Sequence, residues 1–119
     1  MKTPQELNDD YQTYVEDAVI QLDHFFNEKI IEMKRKSSNS KIFTMFFPDP
    51  LLKNKIYETE YKMLSYLKDE NIYKSFIESC GLFGWNVIID IKSISDKDNI
   101  SKIIFTEKYV LPSRIKNII

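Results

Sequence analysis

The sequence predicts an α+β fold in which a long N-terminal helix packs against a three-stranded, mainly antiparallel sheet. Three observations predict it: residues 4–36 repeat apolar side chains at helical spacing, residues 41–47 are almost uninterruptedly apolar, and residues 85–111 alternate apolar and polar side chains around a polar turn. The length of 119 residues favours one domain, because such a chain buries one core and is too short for two. The elements expected after the first helix are a strand at 41–47, a helical pair over 50–80, strands at 85–94 and 100–111, and a tail at 112–119 that the pattern does not place.

The first helix is predicted to begin at Thr3-Pro4, where threonine can cap the first turn, proline suits the first helical position and Glu6 can reach back to the cap. Its expected buried stripe is Leu7, Tyr11, Val15, Ala18, Leu22 and Phe25, with Tyr14, Phe26 and Met33 beside it. Residues 1–28 carry seven acids and one lysine, whereas residues 29–41 carry five bases and one acid. This order suits the helix dipole, so it has a structural explanation before a functional one.

The run KIFTMFF at residues 41–47 is apolar on both of its alternating faces. Phe43, Met45 and Phe47 share one face, and the other face carries two further apolar side chains beside a threonine. A short run of this kind, ended by Pro48, predicts a strand that is covered on both faces and lies in the interior of its sheet.

The helical pair is predicted to open at Asp49-Pro50, by the same cap-then-proline pattern. A polar break is expected at residues 69–71. The expected buried stripe before the break is Leu52, Ile56, Met63 and Leu67, and Tyr57, Tyr61 and Leu64 lie beside it. After the break, one helix face is expected to carry Ile72, Phe76, Ile77 and Cys80.

The stretch CGLFGW holds both glycines of the chain, its cysteine and its tryptophan. We interpret it as a turn: Gly81 is predicted to take the left-handed conformation that ends the helix, and Leu82 to fold back onto the last helical turn. Gly84 then frees the backbone before Trp85 begins a strand. The alternative is a functional loop, because two glycines let a ligand approach the backbone closely.

The last two strands are predicted to form an antiparallel hairpin around the polar turn at residues 95–99. The side chains expected on its buried face are Trp85, Val87, Ile89 and Ile91 on the first strand and Ile103, Phe105, Tyr109 and Leu111 on the second.

Composition disfavours several classes of partner. A net charge of −1, from 18 acidic and 17 basic residues, gives no overall attraction to nucleic acid or to an anionic membrane. Only Arg35 and Arg114 supply the planar group that grips phosphates. No run approaches the roughly 18 uncharged apolar residues that a membrane helix needs. The acidic N-terminus, without an apolar segment, is not typical of a signal peptide.

A single cysteine forms no internal disulfide, which fits a reducing compartment, so a cytoplasmic location is expected. Isoleucine, lysine and asparagine fill 40 positions and alanine fills one, the bias of AT-rich codons. A low-GC bacterium, or its phage, plasmid or virus, is the expected source.

The residues offer little for catalysis or for a cofactor. A structural zinc site needs about four ligands, whereas cysteine and histidine supply only Cys80 and His24. Asp17, His24 and Glu28 share a helix face, but such a stripe is usually the solvated side of an amphipathic helix. No glycine-rich phosphate loop is present, because both glycines are explained by the turn. We therefore expect a non-enzymatic protein with no metal and no cofactor.

The leading hypothesis is a small protein that binds another protein stoichiometrically, of the inhibitor, toxin-immunity or mobile-element accessory type, with self-association as a further option. Exposed tyrosines favour interfaces, because they offer a large rigid surface with a polar tip. The candidate interface residues are Tyr57, Tyr61, Tyr66 and Tyr73 on the helical pair, with Ile20 and Ile31 on the first helix for self-association.

The alternative is a nucleic-acid-binding regulator, because helix, strand, helix, helix, strand, strand is the element order of a winged-helix domain. Residues 71–80 would be its recognition helix and 95–99 its wing. These surfaces carry few positive charges, so the sequence disfavours this reading. Its candidate contacts are Lys34, Arg35, Lys36, Lys41 and Lys74.

Overall fold

The computed structural model describes residues 1–47, 57–91 and 101–108, and the α+β prediction is confirmed. A long helix is followed by a strand, two helices and two further strands, and the three strands form one antiparallel sheet. The elements are α1 (Pro4–Lys36), β1 (Ile42–Phe47), α2 (Tyr57–Lys68), α3 (Glu70–Leu82), β2 (Trp85–Asp90) and β3 (Ser101–Glu107). The predicted helix start at residues 49–50, the turn at 95–99 and the tail at 112–119 lie outside the described residues.

Helix α1 begins as predicted, with the Thr3 hydroxyl accepting a hydrogen bond from the backbone N–H of Glu6 at 3.2 Å. The prediction that its stripe is buried from the first turn is wrong, because Leu7 and the two tyrosines after it are exposed. At 1.5 Å per residue α1 is about 50 Å long, whereas a six-residue strand spans about 20 Å, so the first turns extend past the sheet. The buried positions are Val15, Ala18, Leu22, Phe26 and Ile30.

The sheet has the strand order β1-β3-β2, and both pairings are antiparallel. The predicted hairpin is confirmed by the β2–β3 register, in which Val87 lies opposite Phe105. The prediction that residues 41–47 form an interior strand is wrong, because β3 lies in the middle and β1 at the edge of the described sheet. Ile42 and Phe46 are exposed on the face that was expected to be covered.

Helices α2 and α3 meet at the predicted break, where Asp69 caps α3 by accepting hydrogen bonds from the backbone N–H groups of Asn71 and Ile72. Burial of the Cys80 side chain at the end of the stripe is confirmed. The buried apolar side chains are Met63, Leu64, Tyr66 and Leu67 on α2, and Ile72, Phe76 and Cys80 on α3.

The end of α3 differs from the prediction. Gly81 lies inside the helix, and the left-handed conformation belongs to Gly84, whose φ is 91°. Leu82 is 80% exposed, so it does not fold back onto the helix. The interpretation of this stretch as a turn still holds, because Gly84 supplies the positive φ. The Gly84 carbonyl also accepts a hydrogen bond from the backbone N–H of Lys108 at 2.8 Å.

Aromatic side chains fill the space between the helices and one face of the sheet. The ring of Phe26 on α1 lies 5.6 Å from that of Phe76 on α3 and 5.1 Å from that of Phe105 on β3. Trp85 joins the cluster from β2, with its ring 6.1 Å from Phe105. This layer holds α1 and α3 on one face of the sheet, and no described helix covers the exposed side chains of the opposite face. Among the described helices, none combines the length and the apolar content needed to cross a membrane.

Candidate protein-interaction surface

The outer face of the sheet carries apolar side chains that the described helices do not cover. Alternation along β1 sends Phe43, Met45 and Phe47 to the core and leaves Ile42 and Phe46 on the outer face. The exposed fractions are 61% for Ile42, 45% for Phe46 and 62% for Ile88 on β2. Three large apolar side chains are therefore exposed on one side of the same sheet.

The strand register makes these side chains neighbours. Thr44 on β1 lies opposite Ile104 on β3, which in turn lies opposite Ile88 on β2. Ile42 and Phe46 flank Thr44 at the two adjacent outward positions of β1. With strands about 4.8 Å apart, the group covers one continuous area. We call Ile42, Thr44, Phe46, Ile88 and Ile104 the outer-face patch.

A groove of about 390 Å³ runs beside the patch, along the edge of β1. Every residue of β1 lines it, those of the core face as well as those of the outer face, so the groove follows the edge of the strand and not one face. The end of α1 forms its other wall through Lys29, Glu32, Met33 and Lys36. In the part of the chain that the structure describes, no strand pairs with this edge.

The predicted nucleic-acid contacts are spread over the molecule, and several are engaged. The Nζ of Lys34 lies 5.7 Å from the centroid of the Phe43 ring, and the Nζ of Lys41 lies 3.4 Å from a carboxylate oxygen of Glu107. Arg35 and Lys36 are exposed on the last turn of α1. On α3, the Nζ of Lys74 lies 3.0 Å from the Glu70 carboxylate, so its charge is balanced locally.

The predicted tyrosine surface is only partly present. Tyr66 is 8% exposed, so the expectation that it is exposed at the edge of the buried stripe is wrong. Its ring lies edge-on to that of Tyr14 at 6.0 Å, because α1 passes over this side of α2. Tyr61 and Tyr73 are each 37% exposed. Tyr57 is the first residue of α2, and its side chain is not among those that the structure describes. Tyrosines on α2 and α3 therefore do not form one exposed surface.

Ile20 and Ile31 are exposed, as predicted for α1, at 64% and 55%. They are eleven positions apart, so they lie on the same helix face about 16 Å apart. That face carries the polar His24 and Asn27 between them. The two isoleucines are isolated positions, unlike the outer-face patch.

Cys80 and His24, the cysteine and the histidine of the sequence, are not brought together. Cys80 borders a cavity of about 330 Å³ together with Asp23 and Trp85. Burial, and next the negative charge of Asp23, raise the pKa of the Cys80 thiol to about 12, although a backbone hydrogen bond lowers it. His24 does not line this cavity, and its Nε2 lies 3.2 Å from a carboxylate oxygen of Glu28 among exposed side chains. The thiol is protonated at neutral pH and is a poor nucleophile.

Burial also raises the pKa of Asp23 above its ordinary value. Among the described residues, no three His, Cys, Asp or Glu side chains are grouped so that they could hold a metal ion.

Sequence reasoning missed the outer-face patch because it assigned the second apolar face of β1 to a buried interior. The signal was present in the second apolar pair of KIFTMFF and in Ile88, which breaks the polar alternation of β2. Comparison with known proteins adds no relative, since the chain matches no family model, no curated protein and no solved structure.

Proposed function

We propose that this chain acts by binding another protein stoichiometrically, without catalysis, and that the partner docks on the outer-face patch. The observation that supports it most is the exposure of Ile42, Phe46 and Ile88 on one side of the sheet. A continuous exposed apolar area marks interaction sites, whereas single surface isoleucines need no explanation.

The class of binding protein and its location in the cell are part of the same proposal. The small size and AT-rich coding bias support an inhibitor, toxin-immunity or mobile-element accessory protein, and the single cysteine, buried as Cys80, supports a cytoplasmic location. The tyrosines that remain candidates at the periphery are Tyr61 and Tyr73, with Tyr57 retained from the sequence alone.

A winged-helix-like nucleic-acid binder is the alternative, and the order α1-β1-α2-α3-β2-β3 favours it. The small number of unbalanced positive charges argues against this alternative. Lys41 and Lys74 each contact a carboxylate, which leaves Arg35 and Lys36 as the exposed bases of the predicted set that no described carboxylate balances. Binding to phosphates depends on such charges and falls steeply with salt.

The test compares two matched double variants as bait in lysate of the source organism or its host. Ile42→Thr with Ile88→Thr changes the outer-face patch, and Ile20→Thr with Ile31→Thr makes the same chemical change at comparably exposed positions of α1. We expect a protein that survives nuclease treatment to be retained by the wild type and by the α1 variant, and lost from the outer-face variant. Mass spectrometry of the bound material measures this.

Each other result assigns the function elsewhere. Equal retention by the outer-face variant would remove the patch as the docking site, and loss from the α1 variant alone would move it to Ile20 and Ile31. Material that disappears with nuclease would support the nucleic-acid alternative. Melting temperatures of both variants, expected within a few degrees of wild type because all four positions are exposed, exclude unfolding as the cause.

A further inference from the structure

We propose that the edge of β1 with which no described strand pairs accepts an extended, acidic segment of the protein partner as an added strand of the sheet. This rests on the proposed function, because it states how that partner docks and what chemistry its docking segment carries.

The backbone of β1 is directed for such pairing. The carbonyl of Lys41 accepts a hydrogen bond from the backbone N–H of Glu107 at 3.0 Å, so Lys41 points its backbone groups toward β3. In an antiparallel pair, alternate residues direct both groups to the same neighbour. Ile42, Thr44 and Phe46 therefore direct their N–H and C=O groups to the edge away from β3, where an added strand would meet them.

Within residues 42–47, this edge lacks the sequence features that usually protect an edge strand from pairing. Natural edge strands are blunted by charges, prolines or bulges within the strand. Residues 42–47 read IFTMFF and contain no charge and no proline, and their register with β3 is uninterrupted. The edge of β2 on the other side of the sheet, by contrast, ends in Asp90. The β1 edge is the better template for an extended segment.

The groove along this edge fits one added strand. One wall is β1 itself, and the other is α1 through Met33 and the charged side chains beside it. Side chains of an added strand alternate, so one set would face α1 and the other would extend the outer-face patch beside Ile42 and Phe46. Aromatic and β-branched residues stabilise such cross-strand contacts. Apolar side chains are expected on that outward set.

Charge complementarity predicts that the side chains of the added strand that face α1 are acidic. Residues 29–41, which form the α1 wall and the connection to β1, carry five bases and one acid, Glu32. Lys29 and Lys36 line the groove directly, and Lys34 lies against the ring of Phe43. An extended segment that alternates acidic and apolar residues would place its carboxylates toward these lysines. A basic segment would be repelled there, and attraction steers association and register.

Two synthetic peptides test the proposal, acetyl-EVEVEVE-amide and acetyl-KVKVKVK-amide, each labelled with a fluorophore and titrated with the full chain. We expect the acidic peptide to bind at about 0.15 M salt and to weaken as salt rises, and the basic peptide not to bind. Thr44→Pro removes one outward N–H without touching the bonds to β3, and should weaken binding at least about tenfold. Thr44→Val, which keeps that N–H, is the matched control and should bind as the wild type does.

A charge exchange keeps the test decisive if Thr44→Pro does not fold. Lys29→Glu with Lys36→Glu should lose the acidic peptide and gain the basic one. Failure of the acidic peptide to bind, equal binding of both peptides, or unchanged binding by a folded Thr44→Pro variant would each overturn the proposal. So would displacement of the peptide by an oligonucleotide, which assigns the basic wall to nucleic acid, or a wild-type dimer that Thr44→Pro makes monomeric, which assigns the edge to a second copy.

The two proposals can fail separately. If the partner captured from lysate is lost from the Ile42/Ile88 variant but retained by folded Thr44→Pro, the outer-face patch binds it and the edge does not. If no partner depends on the patch and the acidic peptide still binds the edge, the docking mode stands and the place of the proposed function is wrong.

Discussion

The two faces of the sheet carry the same kinds of side chain and differ in what covers them. Phe43 and Phe46 lie three positions apart on β1, yet Phe43 is 1% exposed and Phe46 is 45% exposed. Phe43 packs against the rings of the core, with its centroid 6.0 Å from that of Trp85. Phe46 lies opposite Lys102, at the border of the outer-face patch. An apolar side chain is therefore buried in the core on one face and exposed on the other.

The largest expected effect comes from truncating this phenylalanine pair. Phe43→Ala should lower the free energy of unfolding by about 3–5 kcal/mol, because it opens a cavity in a close-packed layer. Phe46→Ala should lower it by less than about 1 kcal/mol, because water already reaches that side chain. Denaturant unfolding followed by circular dichroism measures both. Equal losses would mean that the outer face is covered in solution and that the contrast between the faces does not hold.

A smaller effect separates two tyrosines of α2. Tyr66→Ala should lower the free energy of unfolding by about 2–3 kcal/mol, because its ring is buried beside Tyr14. Tyr61→Ala should change it by about 0.5 kcal/mol. Thermal melting of the two single variants checks the order. Partner capture reduced by Tyr61→Ala at unchanged stability would place that tyrosine at the interface, while a large loss of stability there would place it in the core.

The smallest effect concerns the pH dependence of the buried layer. The pKa of the Cys80 thiol is about 12 in the folded chain, above its ordinary value of 9.0. Between these values the unfolded chain has released the proton and the folded chain has kept it, so stability falls as pH rises, by about 1.4 kcal/mol per pH unit above pH 9.

The Cys80→Ala variant isolates this contribution from other groups that titrate at high pH. Chemical unfolding at pH 8 and at pH 10 should show a steeper loss for the wild type than for the variant, by about 1.4 kcal/mol. Identical losses would mean that the thiol ionises equally in both states. Alkylation of Cys80 in the folded chain should also be at least about 30-fold slower than that of an exposed cysteine, since the thiolate fraction falls faster than its nucleophilicity rises.

Much of the fold could be predicted because its signals are local. The Thr3 cap, the break at Asp69 and the β2–β3 hairpin follow from neighbouring residues and from periodicity, and all three are present. The end of α3 was misjudged by one turn. Two glycines offered a left-handed conformation, and the hydrogen bond from Lys108 to Gly84, a contact distant in sequence, accompanies the second.

The candidate site could not be predicted to the same extent. A run apolar on both faces is typical of an interior strand, and whether anything covers the second face depends on strand order. The β3 strand lies between β1 and β2, so β1 becomes an edge. Tyr66 was misjudged for a related reason, since helical angles give its direction on α2 but not the position of α1 beside it.

By itself the sequence determined which segments form helices and strands and which side chains share a face of each. Those properties depend on backbone geometry and on residues within a few positions of one another. Only the tertiary structure decided that one apolar face of β1 meets the aromatic core while the other faces outward beside a basic groove. That outcome depends on which elements pack against which, because burial is a property of the assembled layers and not of a segment.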